Sequence, residues 1–178
     1  MDFDTNSDYY TRTTTYPVIH GVQYRVIDDL VDEPVDFDFF KLHARIDFDD
    51  DDSVIENYIR AARIYLEQWS QLSFGVKKIR LTALYLPPNY KLMYGYVDTI
   101  LTEGYTNIGD IFKEGGKDID LTYTTTGVVN DDIKIAICRL AASYYVDRES
   151  KVETKFASTS TVNEAIEMVR PYANITWF

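Results

Sequence analysis

Between residues 53 and 71, apolar side chains return every three or four positions, at Ile55, Ile59, Ala62, Leu66 and Trp69. That period puts them on one face of a long amphipathic helix, which must dock on something. Ser53 and Glu56 have the S-x-x-E spacing of a capping box, in which each side chain satisfies the other's orphan backbone donor. Glu56 with Arg60, and Arg63 with Glu67, are i,i+4 pairs expected on the wet side, worth about 0.2 to 0.5 kcal/mol each. A second long helix is predicted from Asp131, as its cap, to about residue 148. Ile133, Ala136, Ile137, Leu140, Ala141 and Tyr144 give it one apolar face, and Ile135, Cys138, Ala142 and Tyr145 give it another. A helix apolar on two sides needs two partners. The 53–71 helix supplies one; the other is an inserted sheet or a neighbouring subunit.

Between these helices the period falls to two. Ile79, Leu81, Ala83 and Tyr85 alternate with Arg80, Thr82 and Leu84 until Pro87-Pro88-Asn89 breaks the strand. Residues 91–97 and 99–105 are weaker strand candidates. Glu114-Gly115-Gly116-Lys117 is expected to be a hairpin turn joining Ile111-Phe112 to the alternation Ile119, Leu121, Tyr123. Upstream, Pro34 opens a helical region in which Asp36 caps a short helix with apolar beats Phe39, Phe40, Leu42 and Ile46, ended by the acidic loop 47–52.

The ends are polar and weakly periodic. Residues 1–33 read as an extended arm with one hairpin around Gly21, where Val18, Val22, Tyr24 and Val26 are the apolar beats. Residues 151–178 read as a C-terminal assembly arm with a short helix near 163–170, stopped by Pro171 and finishing on Trp177-Phe178. The core is then 34–150, with a β insertion at about 78–123. The fold class this predicts is α+β, mainly α: a bundle of about four helices, an inserted small antiparallel sheet and extended terminal arms.

Composition narrows the function. At 178 residues the chain is one domain with tails, large enough to bury a core without a staple. One cysteine rules out an intrachain disulfide and fits a reducing compartment. Eighteen Lys and Arg against 29 Asp and Glu give a net charge of -11, with no basic run, which excludes tight binding to a phosphate backbone. No apolar stretch nears the roughly 18 residues of a membrane span, and the acidic start is no signal peptide, so a soluble protein is expected. Fifteen tyrosines exceed what one small core uses and point to interfaces, where one end of the ring is buried and the other wet.

No motif carries chemistry. The run Asp47, Asp49, Asp50, Asp51, Asp52 tempts a calcium reading, but Asp52 stands where the loop needs its turn glycine and Tyr58 where it needs its bidentate acid. His20 and His43 have no serine or cysteine partner at a recognisable spacing, and Cys138 sits in an apolar helix as an inert thiol. Gly115-Gly116 lies between Glu114 and Asp118, a poor lining for a phosphate. No catalytic residue, cofactor or metal is therefore assigned. Among 29 acids an unrecognised glycosidic pair is still possible, which keeps a small hydrolase as a third reading.

Several segments, in order, resemble the head-tail connector (adaptor) family of tailed bacteriophages. Leu42, Arg45, Ile46, Asp47, Ile55, Ile59, Ala62, Tyr65 and Glu67 stand at the beats of its short helix, L-R-I-D, acidic loop and long helix. Thr122-Tyr123, Gly127, then Ile133, Lys134, Ala136, Ile137, Leu140, Tyr144, Tyr145, Arg148 and Glu149 are similar to its strand, T-Y-x-x-G and following helix. Val169-Arg170-Pro171-Tyr172 resembles its close, while His43, Ala44 and Ala173 depart from the pattern.

The resemblance covers about 34–172 and implies a structural virion protein, not an enzyme. It implies a ring of twelve copies under the portal protein that extends the DNA channel towards tail or stopper proteins. DNA would then be a partner only in transit, no membrane would be involved, and the acidity would suit a wall that phosphate slides past. Such a protein is made in the host cytoplasm and ends in the virion. Tyr9, Tyr10, Tyr16, Tyr145, Tyr172, Trp177 and Phe178 are the expected partner-interface residues, since large aromatics dominate interface energetics. The ends could instead fold back on their own domain. The competing function is a carbohydrate or receptor recognition module with Tyr90, Tyr94, Tyr96 and Tyr105 as a stacking platform.

Overall fold

The computed structural model describes residues 21–29, 32–47, 49–147 and 159–174. Four α-helices are present among them: α1 (Phe37–Ala44), α2 (Asp52–Ser70), α3 (Asp131–Asp147) and α4 (Thr159–Val169), the last running into a 3-10 turn, Arg170–Tyr172. The strands are β1 (Gln23–Asp28), β2 (Lys77–Leu86), β3 (Tyr90–Lys91), β4 (Val97–Ile100), β5 (Asn107–Ile108), β6 (Ile111–Phe112) and β7 (Gly116–Thr125). The class is α+β. The sheet is small and antiparallel, as expected; β2 and β7 are its ten-residue strands, and β1 joins it from ahead of the helices.

Helices and strands build separate cores. In the helical one, Ile55, Ile59, Ala62 and Leu66 of α2 are buried against Ile133, Ala136, Ile137, Leu140 and Ala141 of α3, with Phe40 of α1 at one side. Of the second apolar side of α3, Cys138 lies near Asp36 at the start of α1 and Tyr145 meets Tyr58 of α2. A further helix, α4, from the stretch read as a C-terminal arm, packs along α3 through Arg139 and Glu164 and sinks Ala165 and Val169 into the same core. Asn174 then ties the chain back, its N–H donating to the Ser70 carbonyl at 2.8 Å.

Helix starts differ in detail from the expected caps. Asp36 caps α1 as predicted, accepting from the Phe39 N–H at 2.7 Å. The capping box of α2 does not form, because the helix begins at Asp52 and so takes Ser53 into its first turn. The cap of α3 is Asn130, whose Oδ1 accepts from the Ile133 N–H at 2.9 Å, not Asp131. On α1 only Phe40 and Ile46 just beyond it are buried, while Phe39 is partly open and Leu42 is 79% exposed.

In the sheet, β2 and β7 pair antiparallel over their length, Leu81 opposite Leu121. The order is β1-β2-β7-β4, and a second ribbon, β3-β6-β5, folds beside it. Ile111-Phe112 therefore pairs with Tyr90-Lys91 and Asn107-Ile108, not in a hairpin with β7. The diglycine does turn the chain: Gly115 has φ +63, and a Cβ there would lie 2.5 Å from the Pro88 nitrogen. Ile79, Leu81, Ile119, Leu121 and Tyr123 line the inner face, closed by Leu92 and Phe112. Where the cores meet, Gly127 (φ +74) crosses Gly75 so closely that a Cβ would lie 2.3 Å from its Cα.

Candidate functional site

The joint between the two cores is charged and buried. Arg63 and Glu67 lie one helical turn apart on α2, and both are almost wholly buried, at 1% and 2% exposure. They were expected on the wet face. Instead Arg63 Nη1 binds Glu67 Oε2 at 2.8 Å, Arg63 Nε binds Glu33 Oε2 at 2.7 Å, and Arg63 Nη2 binds Asp29 Oδ2 at 2.9 Å. Lys77, at the first position of β2, adds a contact to Glu67 Oε2 at 3.0 Å and an ion pair with Asp29. Glu67 Oε1 also accepts from the Phe74 N–H at 2.8 Å, in the loop between α2 and β2.

Five charges thus link the segment after β1, the middle of α2 and the start of β2. Burial raises the Glu67 carboxyl above its ordinary range, against the pull of Lys77 and Arg63. Burial also works against the Arg63 charge, but the hydrogen bonds it donates to Glu33 and Asp29 outweigh that and hold the guanidinium firmly protonated. Such a network offers no reaction centre. What it does is fix the sheet on the helices at one angle, since every donor of the guanidinium fork is directed.

Periodicity reasoning missed this joint, although the signal was there. Arg63 follows Ile59 by four residues and precedes Leu66 by three, so it sits within the apolar stripe, and Glu67 follows it by four. A charged pair on a buried stripe asks for partners from elsewhere in the chain.

The predicted interface tyrosines are dispersed. Tyr145, near the end of α3, donates to Asp51 Oδ2 at 2.7 Å and meets the Tyr58 ring edge-on at 6.5 Å. Tyr172 donates to Asp132 Oδ2 at 2.6 Å, at the other end of α3, about 20 Å away along the helix axis. Tyr9, Tyr10, Tyr16, Trp177 and Phe178 lie outside the described residues, as does His20.

The rings proposed as a stacking platform are used inside the β half. Tyr24 donates to Tyr90 at 3.2 Å, accepts from the Met93 N–H at 3.3 Å and packs edge-on to Tyr94 at 6.3 Å. Tyr105 packs edge-on to Phe112 at 5.3 Å. Of the four only Tyr96 is largely exposed, so no row of open faces forms. Of the acidic loop, Asp49 and Asp52 hold Lys41 at 2.6 and 3.1 Å, and Asp51 receives Tyr145. Cys138 is buried; loss of solvation, with Asp36 nearby, pushes its thiol up to about 12.

With this geometry in hand, comparison with known proteins is direct. The sequence profile of the phage gp6-like head-tail connector proteins matches residues 35–173, which takes in all four helices and every strand except β1. The chain belongs to that family, whose members are structural connectors of the virion and not enzymes. No curated protein sequence matches. Among solved structures, a chain in the virion of a native gene transfer agent particle is similar, with a TM-score of 0.66 at 17% identity, over 88% of this chain and 97% of that one. Two others come from necks of such particles, one of an empty particle computed with C6 symmetry (TM-score 0.63, 16% identity) and one of a native particle computed with C12 symmetry (0.60, 16%). Each covers 88% of this chain and 97% of the other. At this identity the likeness is one of fold.

Proposed function

We propose that the chain is the subunit of a twelve-membered ring that sits beneath the portal and carries the DNA path on towards tail or stopper proteins. The observation that carries the reading is the family match across both cores, 35–173. The symmetric necks in which similar folds stand support a ring. The distribution of charge supports a passage role: the first 52 residues hold 14 of the 29 acids and four of the 18 basic residues, so nearly all of the net charge of -11 lies in the N-terminal third. Acids concentrated in one region repel phosphate where that region lines a channel. In this arrangement the terminal aromatics Tyr9, Tyr10, Tyr16, Trp177 and Phe178 meet the portal or neighbouring copies.

The test is electron microscopy of the chain mixed with the portal protein of its own virion. A rotationally symmetric ring of this chain on one face of the portal is expected. Portal particles bare of the chain at micromolar concentrations would overturn the proposal.

A further inference from the structure

The four-stranded sheet is open. Its order, β1-β2-β7-β4, leaves β1 and β4 as the two edges; no described strand pairs with the outer side of either, and on β4 the Val97 N–H is taken by Asp110 Oδ1 at 2.8 Å. An edge strand presents unpaired N–H and C=O groups, a template for another chain. Every pairing in the sheet is antiparallel, so β1 and β7 run one way and β2 and β4 the other. The two edges therefore run in opposite directions. Two copies standing side by side in the same orientation bring β1 of one against β4 of the next in antiparallel sense.

The side chains at the edges match across such a contact. On the inner face, Tyr24 and Val26 of β1 and Ile100 of β4 are only half buried, in contrast to the full burial of Ile79, Leu81 and Leu121 on the central strands. Ile27 beside the first edge and Leu101 beside the second are 45% and 47% exposed. On the outer face β1 carries Arg25, opposite Arg80 in register, and Arg80 is already neutralised by Asp120 through its Nε at 2.7 Å. Arg25 makes no ion pair among the described residues, and β4 offers the exposed Asp98. Both edges carry a register shift, between Val26 and Asp28 and between Val97 and Thr99, which blocks a long ladder and leaves a short one.

We infer that neighbouring copies join through these edges, β1 of one chain adding antiparallel to β4 of the next with a shift of about two residues along the strands, which moves Arg25 from the level of Leu101 to face Asp98 and takes Asp28 away from it. The contact is heterologous, so it leaves one free edge at each end and closes only as a ring. A two-fold pairing of β1 with β1 centred on Arg25 would set Arg25 against Arg25, and one of β4 with β4 centred on Asp98 would set Asp98 against Asp98. This inference rests on the ring reading above and names the surface that reading leaves open.

Engineered disulfides separate the possibilities. Chains bearing Arg25→Cys, Asp98→Cys or both are assembled with the portal protein, oxidised and run on a denaturing gel, while the same samples are imaged. The native Cys138 is fully buried and takes no part. Circular dichroism confirms that each variant keeps its fold. The double variant is expected to give a ladder of covalent oligomers, and a mixture of the two single variants to give heterodimers in large excess over homodimers. Rings on the portal with no ladder would overturn the edge contact and leave the ring reading standing. Homodimers of a single variant would overturn the heterologous pairing, and the absence of rings and cross-links alike would overturn both proposals.

Discussion

The two halves of the chain complete their apolar cores by different means. Both cores are aliphatic at their centres: Ile55, Ile59, Leu66, Ile137 and Leu140 meet across α2 and α3, and Ile79, Leu81, Ile119 and Leu121 across β2 and β7. They differ at the rim of the β core, where the tyrosines bond within the core itself: Tyr24 donates to Tyr90, and the buried Tyr123 hydroxyl donates to the Met93 carbonyl at 2.7 Å. Aliphatic stripes need only approximate shape to associate, whereas each buried hydroxyl demands a placed partner. The β half is therefore the more exacting of the two, and the charged joint of Arg63, Glu67, Lys77, Asp29 and Glu33 sets where it stands on the helices. A connector has to present fixed surfaces above and below, and a directed joint supplies that better than a greasy one.

The largest expected effect comes from breaking the joint. Arg63→Ala leaves Glu67 short of one of its two cations and strips Asp29 and Glu33 of their fork, a loss of about 3 to 5 kcal/mol for a buried pair. Urea unfolding followed by tryptophan fluorescence and by far-ultraviolet circular dichroism checks it. Two separated transitions would show the cores coming apart, and an unchanged single transition would mean the joint holds nothing.

Truncation inside the helical core comes next. Ile59→Ala and Leu140→Ala are each expected to cost about 2 to 5 kcal/mol, since both side chains are fully enclosed and leave cavities. Thermal melts measure this, and values under 1 kcal/mol for both would contradict the packing of α2 on α3. Loss of the α3 cap in Asn130→Ala is smaller, about 1 kcal/mol. Asp131→Ala, by contrast, leaves that cap in place, so equal losses in the two variants would undo the assignment.

Acid titration of the exposed Arg80–Asp120 pair gives the smallest effect. The Arg80 hydrogen bonds hold the Asp120 carboxyl below its ordinary value. A group depressed in the folded state contributes stability above its unfolded pKa and loses it as the pH falls through the folded one. Asp120→Asn should therefore be slightly less stable than the parent at neutral pH and match it in strong acid. A gap that widened towards low pH would reverse the sign.

Period-based reasoning served the two halves unequally. Predicted at 53–71, α2 runs Asp52–Ser70, and α3, predicted from 131 to about 148, runs Asp131–Asp147, because an unbroken apolar stripe has one good helical solution. The strand at Lys77–Leu86 was equally plain from its alternation. The two-residue strands β3, β5 and β6 were not, since at that length no period exists and pairing is decided by distant partners. Local spacing also misplaced the caps. It counted Ser53 and Asp131 as helix starts when the chain begins one helix earlier and offers Asn130 for the other. The joint was hidden because a helical i,i+4 ion pair looks the same in sequence whether water or a sheet lies over it. For the interface tyrosines, Tyr145 and Tyr172 are placed by acids on their own chain, which sequence spacing of 94 and 40 residues could not announce.

The central claim, that this fold works as one copy among many in a closed connector, is tested most directly by native mass spectrometry of the chain with the portal protein of its virion. The account predicts a single complex holding a fixed number of copies, twelve, with no ladder of intermediate stoichiometries at saturation. A broad distribution of copy numbers, or a chain that stays monomeric beside an intact portal, would contradict it.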